Sequence, residues 1–381
     1  MAPIRTAIIG LSGNAVTSWA SNAHLPYLLS ERGRSKYQIV ALLNSTVESA
    51  QNSIKIFSLP PETKAYGNPE DLAQDPDVDL VVCATRVDAH YKSTLPSVRA
   101  GKRAFIEWPL AQDAKHAQEL ADAAASHGTH TLVGHQGRFA PVVVTLKQVI
   151  ESGRIGKVLS SDVRAFGGTH SRDKVGFGLS YFLDRAVGGN IITIGLGHFY
   201  DELQYLLGDL QNAAARFQLQ RPEVKLVDSA GNVVDTVTSN VPDLILINGT
   251  LNGTENIEQG ATVSIRYRRG EPFKGEPGCV WSINGVKGEI RLTAVNGPVF
   301  HAAAEKETVT LEVHDFETDQ VEKIDWDWSG WASELPLVAR SIGTLYDKYA
   351  DGENEKDGLP SFHTALHRHQ QLEELLAQWK A

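Results

Sequence analysis

Along the first third of the chain, continuous apolar runs of strand length alternate with stretches whose apolar residues recur every three to four positions. An apolar run from Thr6 enters a glycine-containing turn, a helical stretch follows to about residue 29, and QIVALL at 38–43 predicts the next strand. A helix near 47–57, a short strand at 63–66 and DVDLVVCAT from Asp77 continue the series. The last run is apolar throughout, as in a parallel strand covered on both faces. A helix near 90–100, RAFIEWP after Gly101, Lys102 and a further helix at 113–127 lead to HTLVGH, which ends at His135. Strands and helices alternating at this length predict an α/β fold with a doubly wound parallel sheet, a Rossmann-type dinucleotide-binding domain over residues 1–138.

From Val158 the period changes. VLSSDVRAF, NAAARFQLQ, LILINGTL, TVSIRYR, CVWSING, EIRLTA and TVTLEVHDF are long alternating runs, mostly without helices between them. They predict a large, mostly antiparallel sheet. Helices are expected at 189–207, 333–351 and 361–377, the last two separated by the charged loop DGENEKDG. Residues 139–381 therefore read as an α+β domain for substrate and oligomerisation, its last helices packing on the first domain or on the sheet.

Composition adds limits. At 381 residues two cores are expected, and 42% hydrophobic with 22% charged residues is ordinary globular composition. A net charge of -10 with no Lys/Arg-rich stretch argues against direct nucleic-acid binding. Cys83 and Cys279 lie too far apart in sequence for a zinc motif or disulfide framework, which points to a reducing compartment and a cytoplasmic location. The N-terminus enters a strand at once, without a secretory leader pattern. No apolar run is long enough to cross a membrane. The sequons at Asn44, Asn248 and Asn252 are then expected to stay unmodified.

The turn after the first strand reads Gly10-Leu11-Ser12-Gly13-Asn14-Ala15. A dinucleotide loop needs glycine for the tight turn and small residues where backbone meets pyrophosphate and helix meets strand, slots filled here by Gly10, Ser12 and Ala15. A helix N-terminus just after it would add free N–H groups. Taken alone, such a turn is as often a turn without ligand. The second strand ends in Asn44-Ser45-Thr46, with no acid where an NAD-specific site places one on the ribose. Missing repulsion and three hydrogen-bonding side chains point to NADP(H), with NAD(H) as the alternative.

Several motifs then fall in a familiar order. Asp79-Leu80-Val81-Val82-Cys83-Ala84-Thr85 followed by His90, Ala100-Gly101-Lys102 followed by Ile106-Glu107-Trp108-Pro109, Gly134 to Pro141 (GHQGRFAP) and Gly153-Arg154-Ile155-Gly156 resemble segments of the Gfo/Idh/MocA oxidoreductase family. The resemblance implies that Thr85, Arg86, His90, Glu107, Trp108 and Gln136 lie against the dinucleotide together with the loop residues. It also implies that His198 is the acid/base, since a carbinol gives up its hydrogen only as its hydroxyl proton leaves. Two family groups are replaced: Trp108 stands in the lysine slot and Ile194 in the aspartate slot, four residues before His198. The same departures, with His24-Leu25-Pro26, Gly197-His198 and Val241-Pro242-Asp243, resemble the branch containing the yeast galactose-regulon repressor.

Two functions follow. The first is an NAD(P)-dependent oxidoreductase for a small hydroxyl or carbonyl compound, a sugar or polyol, with Trp108, Asp184, His198 and Asp201 around the substrate and a homodimer through the C-terminal sheet. The alternative is a non-catalytic NAD(P)-binding regulator whose partner is an activator protein. Tyr181 and Lys174 are candidate replacements for the lost proton relay; equally, Tyr181 and Phe182 can be core aromatics and Asp184 with Arg185 a surface ion pair. His170 and His198 lack a third spaced ligand, so no metal is expected. Asp325-Trp326-Asp327-Trp328-Ser329-Gly330-Trp331 suits either a sugar platform or a packing contact.

Overall fold

The computed structural model describes residues 2–13, 17–167 and 171–380. They fall into two units, the first made of residues 1–136, 186–189 and 329–370, the second of 137–185, 190–328 and 371–381.

In the first unit, strands β1 (Ile4–Ile9), β2 (Tyr37–Leu43), β3 (Lys64–Tyr66), β4 (Leu80–Cys83), β5 (Arg103–Ile106) and β6 (Thr131–Val133) form one parallel sheet in the order β3-β2-β1-β4-β5-β6. The order reverses between β1 and β4, and in open α/β sheets the crevice beyond the strand ends at that point takes the ligand. Apolar side chains cover both faces, with Ile8, Val81, Val82 and Ile106 wholly buried. Residues 329–370 join this unit because the helix Leu337–Ala350 buries Ile342, Leu345 and Tyr346. Tyr346 stacks on Tyr27 at 5.6 Å and meets Phe105 edge-on at 5.1 Å. Each such buried ring stabilises the unit by roughly 1.5–3 kcal/mol.

One expectation shifts. The helix predicted directly after the glycine turn begins only at Ala20, as a π-helical turn Ala20–His24 followed by the helix Leu25–Leu28. Ser18 has φ 50°, a left-handed conformation that interrupts a helix.

The second unit holds β7 (Val158–Gly167), β8 (Lys174–Gly176), β9 (Leu210–Gln218), β10 (Glu223–Val227), β11 (Val233–Thr238), β12 (Leu244–Leu251), β13 (Ile257–Arg269), β14 (Cys279–Gly285), β15 (Gly288–Ala294), β16 (Val309–Asp315) and β17 (Gln320–Lys323). Eight of them form a sheet in the order β17-β16-β15-β14-β7-β13-β12-β9, antiparallel except where β13 runs parallel to β7. The period-two pattern is realised directly: along β14 and β15 every second residue is buried. A separate three-stranded sheet, β11-β10-β8, has its own small core of Val175, Leu183, Val224 and Leu226. Its strands are short and β11 has no buried residue, so its only apolar signal is the brief alternation of Val224 and Leu226 in β10.

The helix expected at 189–207 is two pieces, a π-helical turn Ile191–Leu196 and an α-helix Gly197–Leu207. Asn190 caps the first, its Oδ1 accepting from the N–H groups of Ile192 and Thr193 while the Thr193 hydroxyl accepts from Asn190 N–H. All of Gly197–Leu207 except Tyr205 is buried. Charge inside it is balanced by Arg138, whose guanidinium donates to both Asp201 oxygens at 2.7 and 2.6 Å. Replacing Asp201 by Asn leaves that buried cation unneutralised, and a loss of about 3–5 kcal/mol is expected in urea unfolding followed by far-UV dichroism.

Candidate dinucleotide site and acid–base residues

The first unit shapes a loop for close backbone approach. Gly10 has φ 95°, and a Cβ there would collide with Thr85 Cγ2 and lie 3.1 Å from the Ala84 carbonyl oxygen. At Gly13 a Cβ would come within 2.7 Å of Ile56 Cδ1. A larger residue at Gly10 would fill the close approach a pyrophosphate-binding turn needs, so the turn fits a dinucleotide. Asn14 and Ala15 lie outside the described residues.

Asn44 has a different task from the one expected. Its Nδ2 donates to the Leu11 carbonyl at 2.8 Å and to Ser53 Oγ at 3.1 Å, tying the loop to the end of β2. Both amide hydrogens are thus engaged inside the protein. Ser45 is exposed, and Thr46 caps the helix Val47–Ile56 by accepting from Ser49 N–H.

His90 is a clamp. Its Nδ1 lies 2.9 Å from the Pro109 carbonyl and its Nε2 3.0 Å from that of Thr85. Burial pushes its pKa down, so the neutral ring has one proton for two acceptors. Arg86 is exposed and donates through Nε and Nη2 to both oxygens of Asp88. Glu107 is buried with Oε1 3.0 Å from His24 Nε2. Trp108 is 4% exposed, its ring 4.2 Å from that of His135 and 4.7 Å from that of His369. Gln136 is wholly buried, and neither its amide oxygen nor its nitrogen has a hydrogen-bond partner.

In the second unit His198 is 5% exposed and stacks at 4.0 Å, nearly parallel, on His301, a residue that no local sequence signal marks. Lys174, exposed on β8, and Tyr181, against Phe182 at 4.9 Å, belong to the segment that builds the three-stranded sheet and its core. Asp184 accepts from Asn240 Nδ2 at 3.2 Å, and Arg185 lies over the Trp379 ring, so the surface ion pair weighed for these two is replaced by other partners. Asp201, expected at the substrate, is wholly buried and held by Arg138. Nothing in the sequence gives Glu202 a role. Both its oxygens are buried without a partner, and burial with the neighbouring Asp201 charge holds its carboxyl well above the usual range, hence neutral.

The tryptophan segment is structural. Trp326 and Trp328 are buried, Trp328 donating to the Ala304 carbonyl, and Trp331 lies against Tyr27 with Arg32 over its ring. Cys83 and Cys279 are free and buried. Among the described residues no group of three His, Cys, Asp or Glu could hold a metal ion, and His170 lies outside them. Among the same residues no helix is long and apolar enough to cross a membrane.

Residues 4–135 match the model of the oxidoreductase family with an NAD-binding Rossmann fold, and residues 141–294 match that of the Gal80p C-terminal domain. The chain is 30% identical to the galactose/lactose metabolism regulatory protein GAL80 of Saccharomyces cerevisiae over 76% of its own length and 67% of that protein. The chain belongs to the Gfo/Idh/MocA family. Within that family it carries a Gal80p-type second domain. It is also 28% identical to dehydrogenase aclE of Aspergillus oryzae, over 93% of this chain and 90% of that one. A solved super-repressor mutant of Gal80p from Saccharomyces cerevisiae superposes with a TM-score of 0.86 at 25% identity, over 99% of this chain and 96% of that one. The family's NAD-binding Rossmann fold is thus present in the first unit.

Burial pushes the His301 imidazole down to about 4 and that of His369 down to about 3. An unfolded chain protonates both near pH 6.5, so it binds more protons than the folded protein below that pH. Stability is therefore expected to be constant above this range and to fall on acidification toward about pH 4. Urea unfolding across that window should show the decline, and His301→Phe, which keeps a stacked ring, should flatten part of it.

Proposed function

We propose that this protein is a nicotinamide-dinucleotide-dependent oxidoreductase acting on a small hydroxyl or carbonyl compound of the sugar or polyol class. His198 takes up or returns the hydroxyl proton. The observation behind the reading is the buried imidazole itself, at the position where the sequence resemblance implies an acid–base group, stacked on the face of His301. Imidazole is the side chain whose proton exchange falls nearest neutrality. The dinucleotide, when bound, supplies the two-electron step.

The remaining roles fall to the chain's own residues. Gly10, Ser12 and Gly13 give backbone room to the pyrophosphate, Thr85 walls the loop, and Glu107 accepts from a ribose hydroxyl. Trp108 offers a flat apolar wall where the family's lysine would bring charge, and Lys174 with Tyr181 are the candidates to restore a cation and a proton donor. Asp201 acts through Arg138 on the helix that carries His198.

With Asn44 engaged by Leu11 and Ser53, only the neutral Ser45 and Thr46 hydroxyls are left to favour a 2′-phosphate. NADPH is expected to bind more tightly than NADH, but by no more than about tenfold, the worth of one or two neutral hydrogen bonds. Fluorescence titration of both reduced cofactors measures the ratio.

Absorbance at the reduced-nicotinamide band, with a panel of sugars, polyols and small aldehydes, tests the reading. Turnover of at least one is expected, and His198→Ala should lower kcat by about 10²–10⁴. Binding of the cofactor without turnover of any compound would favour the second reading, a dinucleotide-binding regulator that captures an activator protein. Trp108 in place of lysine is the observation behind it, because a binding module needs no proton relay.

A further inference from the structure

Glu107 does not stand alone in the first unit. Its Oε1 lies 3.0 Å from His24 Nε2, close but not aligned as a hydrogen bond, and His24 Nδ1 lies 2.8 Å from the hydroxyl of Tyr346. His24 and Tyr346 are both wholly buried, and Phe105 packs against both rings. The three polar groups come from distant parts of the chain: the turn Ala20–His24, the end of β5, and the helix Leu337–Ala350.

The order of donors follows from the chemistry at each end. Burial and the Glu107 charge keep the Tyr346 phenol protonated, so its O–H is a standing donor. It donates to His24 Nδ1, which must then be the unprotonated nitrogen, and the ring proton sits on Nε2 facing the carboxylate. The opposite tautomer would turn a lone pair toward a carboxylate oxygen in a buried place, where repulsion is poorly screened. Oε1 thus faces the Nε2 edge of the ring at 3.0 Å, close but without an aligned hydrogen bond. The other oxygen is bounded by Gly134, where a Cβ would come within 2.5 Å of Oε2. The carboxylate has one oxygen against the His24 ring and the other in a slot that only glycine leaves open.

We infer that His24 and Tyr346 are positioning residues that fix the Glu107 carboxylate and turn Oε2 toward a ribose hydroxyl of the dinucleotide. The helix Leu337–Ala350, far from the glycine loop in sequence, thus sets how tightly that loop's ligand is held. The inference rests on the reading of Glu107 as a cofactor contact.

The test is NADH titration of the full-length protein by fluorescence, with Tyr346→Phe made in the native and in the Glu107→Gln background. Tyr346→Phe removes one oxygen and keeps the ring packing. It is expected to weaken NADH binding about fivefold to tenfold in the native background, the effect of one buried hydrogen bond, and less than about twofold beside Gln at 107. A loss of general stability would weaken binding equally in both, and that result, or no weakening at all, overturns the inference. So does Glu107→Gln binding NADH as tightly as the native protein, an outcome that leaves the dinucleotide reading standing. Native protein that binds neither NADH nor NADPH overturns both. The tautomer is tested without any cofactor by long-range nitrogen–proton NMR on histidine-labelled protein, with the signal assigned by its loss in His24→Gln. An Nε2–H tautomer is expected for His24, and an Nδ1–H tautomer refutes the relay.

Discussion

The close approach of Gly10 to Ala84 and Thr85 is the contact on which the first unit's chemistry depends. β1 and β4 are neighbours in the sheet, and their following turns meet where the strand order reverses. A side chain at Gly10 would push the two turns apart and fill the crevice between them. With no side chain there, the Leu11 carbonyl can be tied to Asn44, and the His90 ring lies between the Thr85 and Pro109 carbonyls before any ligand arrives. Such preorganisation removes part of the ordering cost of binding.

The second unit meets a different constraint, burial of polar groups under a large sheet. Its central helix is buried almost all round, yet carries His198, Asp201, Glu202 and Gln204. Each is accommodated by a separate device. Arg138 neutralises Asp201, Gln204 exchanges hydrogen bonds with Gln371, burial keeps Glu202 uncharged, and His198 lies face to face with His301. Polar groups retained at such cost mark a helix kept for more than packing.

The two functional readings differ at one point in the first unit. Trp108 fills a space lined by His135 and His369 rather than presenting a charge. Around it stand the residues that the proposed cofactor site would use, Gly10, His90 and Glu107. Binding and proton transfer are separable demands on the same scaffold, which is why one family accommodates dehydrogenases and a regulator.

By itself the sequence determined what depends on local period and on short motifs. Continuous apolar runs announced parallel strands, alternation announced the antiparallel sheet, and the order of EWP, GHQGRF and the Gly-His helix carried the family. These signals are local because strand and helix periods are written within a few residues. The tertiary structure alone decided which polar side chains meet. Nothing near Asn44 indicates that its amide serves Leu11, nothing near His198 points to His301, and Asp201 is available or engaged according to Arg138, 63 residues away. The three-stranded sheet went unread for a related reason: its strands are short and β11 has no buried residue, so the apolar pattern behind its small core is brief. Hydrogen bonds and ion pairs between distant residues leave no periodic trace, because a polar group records in its own sequence neither its partner nor the distance to it.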